Sequence, residues 1–273
     1  MRLVLFRNRK NESVRVTIKW SFIMLLLVFC SNAYSQINVI VYGDDSYPPY
    51  SYTENGKISG VYTEILKRVF AKMPEYNVEI HSIPWKRGLA KIENGEIFAL
   101  YPPYKRSKQR PFMEYDGPIL NEKLVVVCLK PVLETPRPNW PLDYIGLKIG
   151  GNSGFSSGGD QFYDLVEKNQ IELDEVKGTE SNILKLISGR IDCYMNDAIS
   201  IQWELNKLQL SGQYDGESIV QGAVISSEHG YLGIASDGRE FSFKEDFKQQ
   251  YLGVLKAMKK SGEIEKIISK FLK

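Results

Sequence analysis

The stretch "GRIDCYMNDAISI", residues 189–201, opens on a turn glycine, runs through a short apolar segment and stops on a bare acid, Asp197. Buried parallel strands read as apolar runs of this length. In open α/β sheets, ligands collect beyond the carboxyl ends of such strands. Asp197 is therefore placed either to meet a positive charge or to cap a following helix, a task that Asp performs well.

Upstream of this strand the pattern is regular. "LKIGG" (147–151) reads as a strand, "NSGFSSGGD" (152–160) as a glycine-serine loop and "QFYDLVEKN" (161–169) as a helix, followed by a strand at "IELDEVKG" (171–178) and a helix at "TESNILKLISG" (179–189). The same order of elements stands nearer the start. "INVIVYG" (37–43) is a strand, and "SYPPYSYTENGKISG" (46–60) is a turn-rich loop. "VYTEILKRVFAK" (61–72) carries apolar residues at 61, 65, 66, 69 and 70, a helical face. "NVEIHSIP" (77–84) alternates like a strand, "WKRGLAKIENG" (85–95) is a helix ended by Gly95, and "EIFALY" (96–101) is a strand. Two β-α-β-α-β sets point to parallel sheets covered by helices. "PILNEKLVVVCLK" (118–130) and "HGYLGIAS" (229–236) add strands, a Pro-rich loop covers 131–146, and the chain closes on two helices broken near Ser261–Gly262. Two α/β lobes joined by crossing chain imply a cleft between them.

The bulk composition agrees with a globular chain: 273 residues, 43% hydrophobic and 25% charged. Residues 1–35 differ, with a basic segment, the ten-residue apolar run "SFIMLLLVFC" and small residues Ala33 and Ser35, the pattern of a secretory signal peptide cleaved before Gln36. Those residues hold six Lys/Arg against one Asp/Glu, so the remainder carries a formal charge of −3 where the whole chain carries +2. Nothing in that balance argues for nucleic acid as a partner. The only histidines, His81 and His229, lie far apart with no cysteine nearby, so no metal site and no histidine-based triad is expected. Cys128 and Cys193 remain after residue 35, and an oxidising compartment permits a disulfide between them.

Several stretches together resemble the bacterial periplasmic solute-binding proteins of family 3, the polar amino acid type. They are "YPPYSYTENGKISGVYTEILKRVFAK", "IPWKRGLAKIENGEI", "SKQR", "SGRIDCYMND" and "FKQQYLGVLKAMKKSGEIEKIISKFL". The resemblance implies a type II two-lobe periplasmic-binding-protein-like α/β fold, each lobe a sheet flanked by helices, with a two-strand hinge. Lobe 1 takes residues 36–119 and 231–273, and lobe 2 with the hinge strands takes 120–230. It also implies a non-enzymatic, monomeric periplasmic protein without a cofactor. Such a protein captures a small amino-acid-like ligand between its lobes and hands it to a membrane permease or presents it to a sensor.

Site roles follow from the same resemblance. Arg110 lies fifteen residues after Gly95, the family spacing of the carboxylate-binding arginine, and Asp197 lies five after Asp192, the spacing of the ammonium-binding aspartate. A guanidinium suits a carboxylate because its planar fork makes two parallel charge-assisted bonds. Tyr47 and Trp85 match the aromatic positions that pack on ligand, with Tyr101 at a strand end nearby, while Tyr50 reads as core. Asp44 matches a position that reads the ligand side chain. The loop 150–159, with Ser153, offers backbone N–H groups, and Asn196 precedes the terminal acid of its strand. One departure stands out. The family's Ala-Gly-Met-Thr after the third strand is "PPYK" here, so Pro103 keeps only a carbonyl and Lys105 replaces the threonine hydroxyl. That departure supports one rival expectation, an orphan sensor with a degenerate cleft; a second rival is a dehydratase-type enzyme on the same scaffold, drawing on Glu64, Asp116 or Glu122.

Overall fold

The computed structural model describes residues 36–237 and 241–271; the signal-peptide reading of residues 1–35 lies outside them. From residue 38 onward the chain is one compact unit. Its strands are β1 (Ile37–Asp44), β2 (Ser46–Tyr47), β3 (Ser51–Glu54), β4 (Lys57–Ser59), β5 (Tyr76–Ile83), β6 (Ala99–Tyr101), β7 (Met113–Leu129), β8 (Lys148–Asn152), β9 (Glu172–Val176), β10 (Cys193–Asp197) and β11 (Ile219–Ala235). Its helices are α1 (Val61–Phe70), α2 (Trp85–Glu93), α3 (Asp160–Glu167), α4 (Thr179–Ile187), α5 (Ala198–Leu210), α6 (Lys244–Lys260) and α7 (Glu263–Phe271).

Eight strands form one sheet in the order β5-β1-β6-β11-β7-β10-β8-β9. β7 and β11 are 17 residues each and run antiparallel to one another from Ile219↔Leu129 to Ala235↔Met113. A strand of that length spans about 55 Å, more than one lobe needs. Accordingly, β6 pairs with β11 at Gly233 and Ile234, whereas β10 pairs with β7 over Leu124–Cys128. The two long strands thus carry the chain from one half of the sheet to the other. Register shifts interrupt their ladder between Gln221 and Val224, Val224 and Ser226, and Gly230 and Leu232. Such irregularities bend strands.

Each half of the sheet is covered on both faces. In the first half, Ala99 and Tyr101 face a cluster with α1, α6 and α7, while Leu100 faces Trp85 and Ile92 of α2. In the second, Val125 and Val127 face α4 and α5, while Val126 and Cys128 face Phe162 and Leu165 of α3. Strand alternation alone produces this division. The α/β class and the two-lobe architecture expected from the sequence are observed.

Three stretches depart from the sequence reading. Residues 46–60 are no plain loop: β2, β3 and β4 make a small antiparallel sheet, because Tyr-rich alternation pairs across the Asn55–Gly56 turn, where both residues have positive φ. The strand read at 229–236 is the end of β11, which starts ten residues earlier. Helix α5, not read from the sequence, follows Asp197 directly. It buries Ile201, Leu205 and Leu208 yet exposes Leu210, so its apolar residues mark no single face.

Candidate functional site

The carboxyl ends of β1 and β6 stand side by side, as parallel neighbours pairing at Val41↔Ala99. Past them come Asp44 and Tyr47 on one side and Pro102 and Tyr104 on the other. Trp85 opens α2, and Arg110 comes ahead of β7. Across from these, the glycine-serine loop after β8 contributes Phe155 and Ser156. Together these residues wall a narrow gap of only about 20 Å³, closed by the ring of Phe155. A second cavity of about 270 Å³ shares Asp44, Trp85 and Phe155 and adds Ser153, Lys86 and Lys177.

Arg110 is nearly buried, at 6% exposure. Its Nη2 donates to the Gly154 carbonyl at 3.1 Å and to Ser156 Oγ at 3.4 Å. Its guanidinium carbon lies 5.6 Å from the Trp85 ring centroid, within cation–π range. Burial pushes this guanidinium below its usual pKa, with Tyr115 acting in the opposite sense. Trp85 Nε1 donates to the same Gly154 carbonyl at 3.2 Å. An oxygen acceptor therefore already occupies the donor end of the cavity. Phe155 sits beside it, edge-on to both Tyr47 and Trp85.

The acids behave differently from one another. Asp44, 2% exposed, accepts from Ser46 N at 3.0 Å, and burial raises its carboxyl to about pKa 7. Asp197 is wholly buried. Its Oδ1 accepts from Ile199 N and Ser200 N at 2.8 and 3.0 Å, capping α5, and its Oδ2 accepts from Lys123 N at 3.1 Å. Burial raises the Asp197 carboxyl above its usual range, opposed by those backbone N–H groups and by the nearby Tyr50 hydroxyl. Glu122 on β7 is 2% exposed and accepts O–H bonds from Tyr47 at 2.5 Å, from Tyr104 at 2.6 Å, and from Tyr62.

Of the residues nominated from the sequence, Asp44, Tyr47, Trp85 and Arg110 share the first cavity wall, and Ser153 lies in the second. The others stand elsewhere in this arrangement. Tyr101 is fully buried beneath the site, its hydroxyl 2.9 Å from Thr63 Oγ1. The Pro103 carbonyl accepts from Tyr231 N at 3.0 Å, and its neighbour Pro102 lines the cavity instead. Lys105 is exposed. Asn196 donates to Thr179 Oγ1 and to the Tyr194 hydroxyl, inside lobe 2. Arg106 donates to the Ser156 carbonyl at 3.1 and 3.2 Å and to Glu228 at 3.1 Å, so it is more than a surface cation. Cys128 and Cys193 pair across β7 and β10, with sulfurs bonded and Cα atoms 4.0 Å apart.

Sequence reasoning passed over Phe155 and Tyr104 as site residues and raised Glu122 only as a candidate acid of the rival enzyme reading. Glu122 had a signal. Leu120, Glu122 and Leu124 are buried while Asn121 and Lys123 are exposed. An acid on the inward face of an alternating strand is a buried acid in need of partners. Among the described residues, no group of three or more His, Cys, Asp or Glu is placed to hold a metal ion.

Residues 39–119 match the family model described as bacterial extracellular solute-binding proteins, family 3. Among curated proteins, none matches the chain. Solved structures match over most of the chain. A histidine kinase sensor domain with similarity to periplasmic binding proteins superposes with a TM-score of 0.72 at 17% identity, covering 87% of this chain and 96% of its own. An ancestral arginine-binding protein bound to arginine superposes at 0.71 with 17% identity, covering 86% and 97%. The arginine-, lysine-, histidine-binding protein ArtJ of Geobacillus stearothermophilus superposes at 0.65 with 18% identity, covering 86% and 95%. At these identities the likeness concerns the fold.

Proposed function

We propose that this chain, a member of the bacterial extracellular solute-binding proteins of family 3, captures a small zwitterion of the amino acid class between its two lobes. One observation carries the reading: Arg110, a cation, and Asp44, a carboxyl group that ionises near neutrality, face one cavity lined by the aromatic rings of Tyr47 and Trp85. The ligand carboxylate takes the place that the Gly154 carbonyl now fills on Arg110. The ligand cation lies toward Asp44 and the tyrosine hydroxyls. Asp197 gives the same end of the cleft its negative field from behind, through Tyr50.

In this reading the halves of the sheet open and close as lobes about β7 and β11, divided near residues 119 and 231. Ligand contacts to both halves favour the closed form by their differential affinity. The protein works in the periplasm, exported by residues 1–35, and delivers its ligand to a membrane permease or signals through a sensor. Binding is favoured over catalysis, because Glu122 stands behind Tyr47 and Tyr104 and not in the cavity wall, out of reach of a ligand proton.

Titration calorimetry with the twenty amino acids tests this. At least one should bind, and Arg110→Ala should weaken it by roughly 30-fold or more, since truncating one side of a buried charged pair costs about 2–5 kcal/mol. No binding by any amino acid would overturn the proposal. That result would favour the second reading, a sensor whose cleft is filled by its own loop, which the seat of Phe155 between Tyr47 and Trp85 supports.

A further inference from the structure

The Glu122 carboxylate collects three phenol hydroxyls, those of Tyr47 (β2), Tyr62 (α1) and Tyr104 (after β6). Space for this cluster depends on Gly230 of β11, where a Cβ would fall 1.9 Å from the Tyr62 hydroxyl and 2.9 Å from Glu122 Oε1. The other charged or titratable groups facing it are Asp197 at the end of β10, Tyr50, and Glu228, its cross-strand partner on β11. Glu228 is engaged by Arg106, whose guanidinium also lies 5.7 Å from the Tyr104 ring. Tyr47 and Tyr104 wall the first cavity, and their hydroxyls are 2.9 Å apart.

Counting protons shows what this arrangement does. A phenol has one O–H and free lone pairs. With Glu122 ionised, all three O–H groups point at it, and Tyr47 and Tyr104 show the cavity only lone pairs. With Glu122 protonated, the carboxyl proton itself goes to a phenol oxygen, and one O–H must turn away.

We propose that Glu122 is a positioning residue that sets the ligand class of the cleft: by orienting the Tyr47 and Tyr104 hydroxyls it makes that end an acceptor-only wall for a cationic N–H group, whose arrival expels a proton from Glu122. The inference rests on the reading of the cleft as a binding site. Burial and the nearby Asp197 raise Glu122 to about pKa 8, so near neutrality the empty site holds the proton that the ligand cation displaces. The sign follows. Affinity for a cation rises with pH up to about 8 and levels off above it.

The test is titration calorimetry with L-arginine at pH 6, 7 and 8, in buffers of different ionisation enthalpy so that released protons are counted. Glu122 should add up to about tenfold in affinity per pH unit over that range. Asp44 is a second proton source in the same wall, so the decisive quantity is a difference. Glu122→Gln should release close to one proton fewer per arginine bound at pH 7 than the wild type, while Asp44→Asn keeps the Glu122 share. Tyr104→Phe, which leaves Glu122 with one donor fewer, should move the pH dependence upward and covers the case of a Gln variant that does not fold. Equal proton release by wild type and Glu122→Gln, or an unmoved profile in Tyr104→Phe, overturns the inference while leaving the binding reading intact. Absence of arginine binding at every pH, with binding of another amino acid that lacks a side-chain cation and releases no proton, overturns the inference alone. Absence of binding by any amino acid overturns both.

Discussion

Phe155 meets Tyr47 edge-on, with ring centroids 5.2 Å apart and an interplanar angle of 89°. The two rings come from opposite sides of the cleft, so the contact closes it. Phe155 makes a second edge contact with Trp85 at 5.9 Å. A ligand seated on these aromatics must displace it.

Phe155→Ala should therefore tighten ligand binding. Aromatic pairs contribute about 0.5–1.5 kcal/mol each beyond their area, so removing two self-contacts favours the ligand by about five- to 150-fold. Calorimetry on the wild type and variant measures this. A weaker variant would mean that Phe155 packs on the ligand and not in its place.

Asp197→Ala should cost stability. Its two oxygens satisfy three backbone N–H groups, on Lys123, Ile199 and Ser200. Loss of an N-cap alone costs about 0.5–2 kcal/mol, and the orphaned Lys123 N–H adds to it. Urea unfolding of the empty protein gives the value. An unchanged midpoint would mean that the side chain turns to the cleft when the lobes open.

Stability should fall as pH rises from about 4 to 7, in part through Asp44. Its carboxyl stands at about pKa 7 folded against 3.8 in the free state. Below both values the acid is neutral in either state. Between them only the unfolded chain ionises, so unfolding gains up to about 1.4 kcal/mol per pH unit. Above 7 the effect levels off. Asp44→Asn keeps an oxygen for Ser46 N and should remove this component. Urea midpoints of both proteins at pH 5 and 8 read it, and the variant should be the more stable at pH 8. Equal slopes would show that Asp44 ionises freely in the fold.

The double variant C128A/C193A should be markedly less stable. The bond spans 65 residues of sequence, and closing a loop of that length removes about 4 kcal/mol of chain entropy from the unfolded state. Denaturant unfolding of the oxidised wild type and the variant compares them. A loss below about 1 kcal/mol would show that the unfolded chain is little constrained by the bond.

The sequence by itself determined the layers. The apolar run in "PILNEKLVVVCLK" and the helical spacing in "VYTEILKRVFAK" are local signals, enough to mark a strand buried in the sheet and the buried face of a helix. It was the resemblance to the family 3 binding proteins, and not periodicity, that nominated Tyr47, Trp85 and Arg110 for one cleft. The partners were decided by tertiary structure. Asp197 reads identically as a ligand acid and as a helix cap, and only the approach of Lys123, Ile199 and Ser200 fills its oxygens. Phe155 is an apolar residue in a glycine-serine loop until that loop crosses the cleft to Tyr47. Glu122 gathers hydroxyls from residues 75, 60 and 18 positions away. No local pattern encodes contacts of such separation. They arise because the two long strands bring both halves of the sheet to one line, and what meets there depends on how the whole chain is folded.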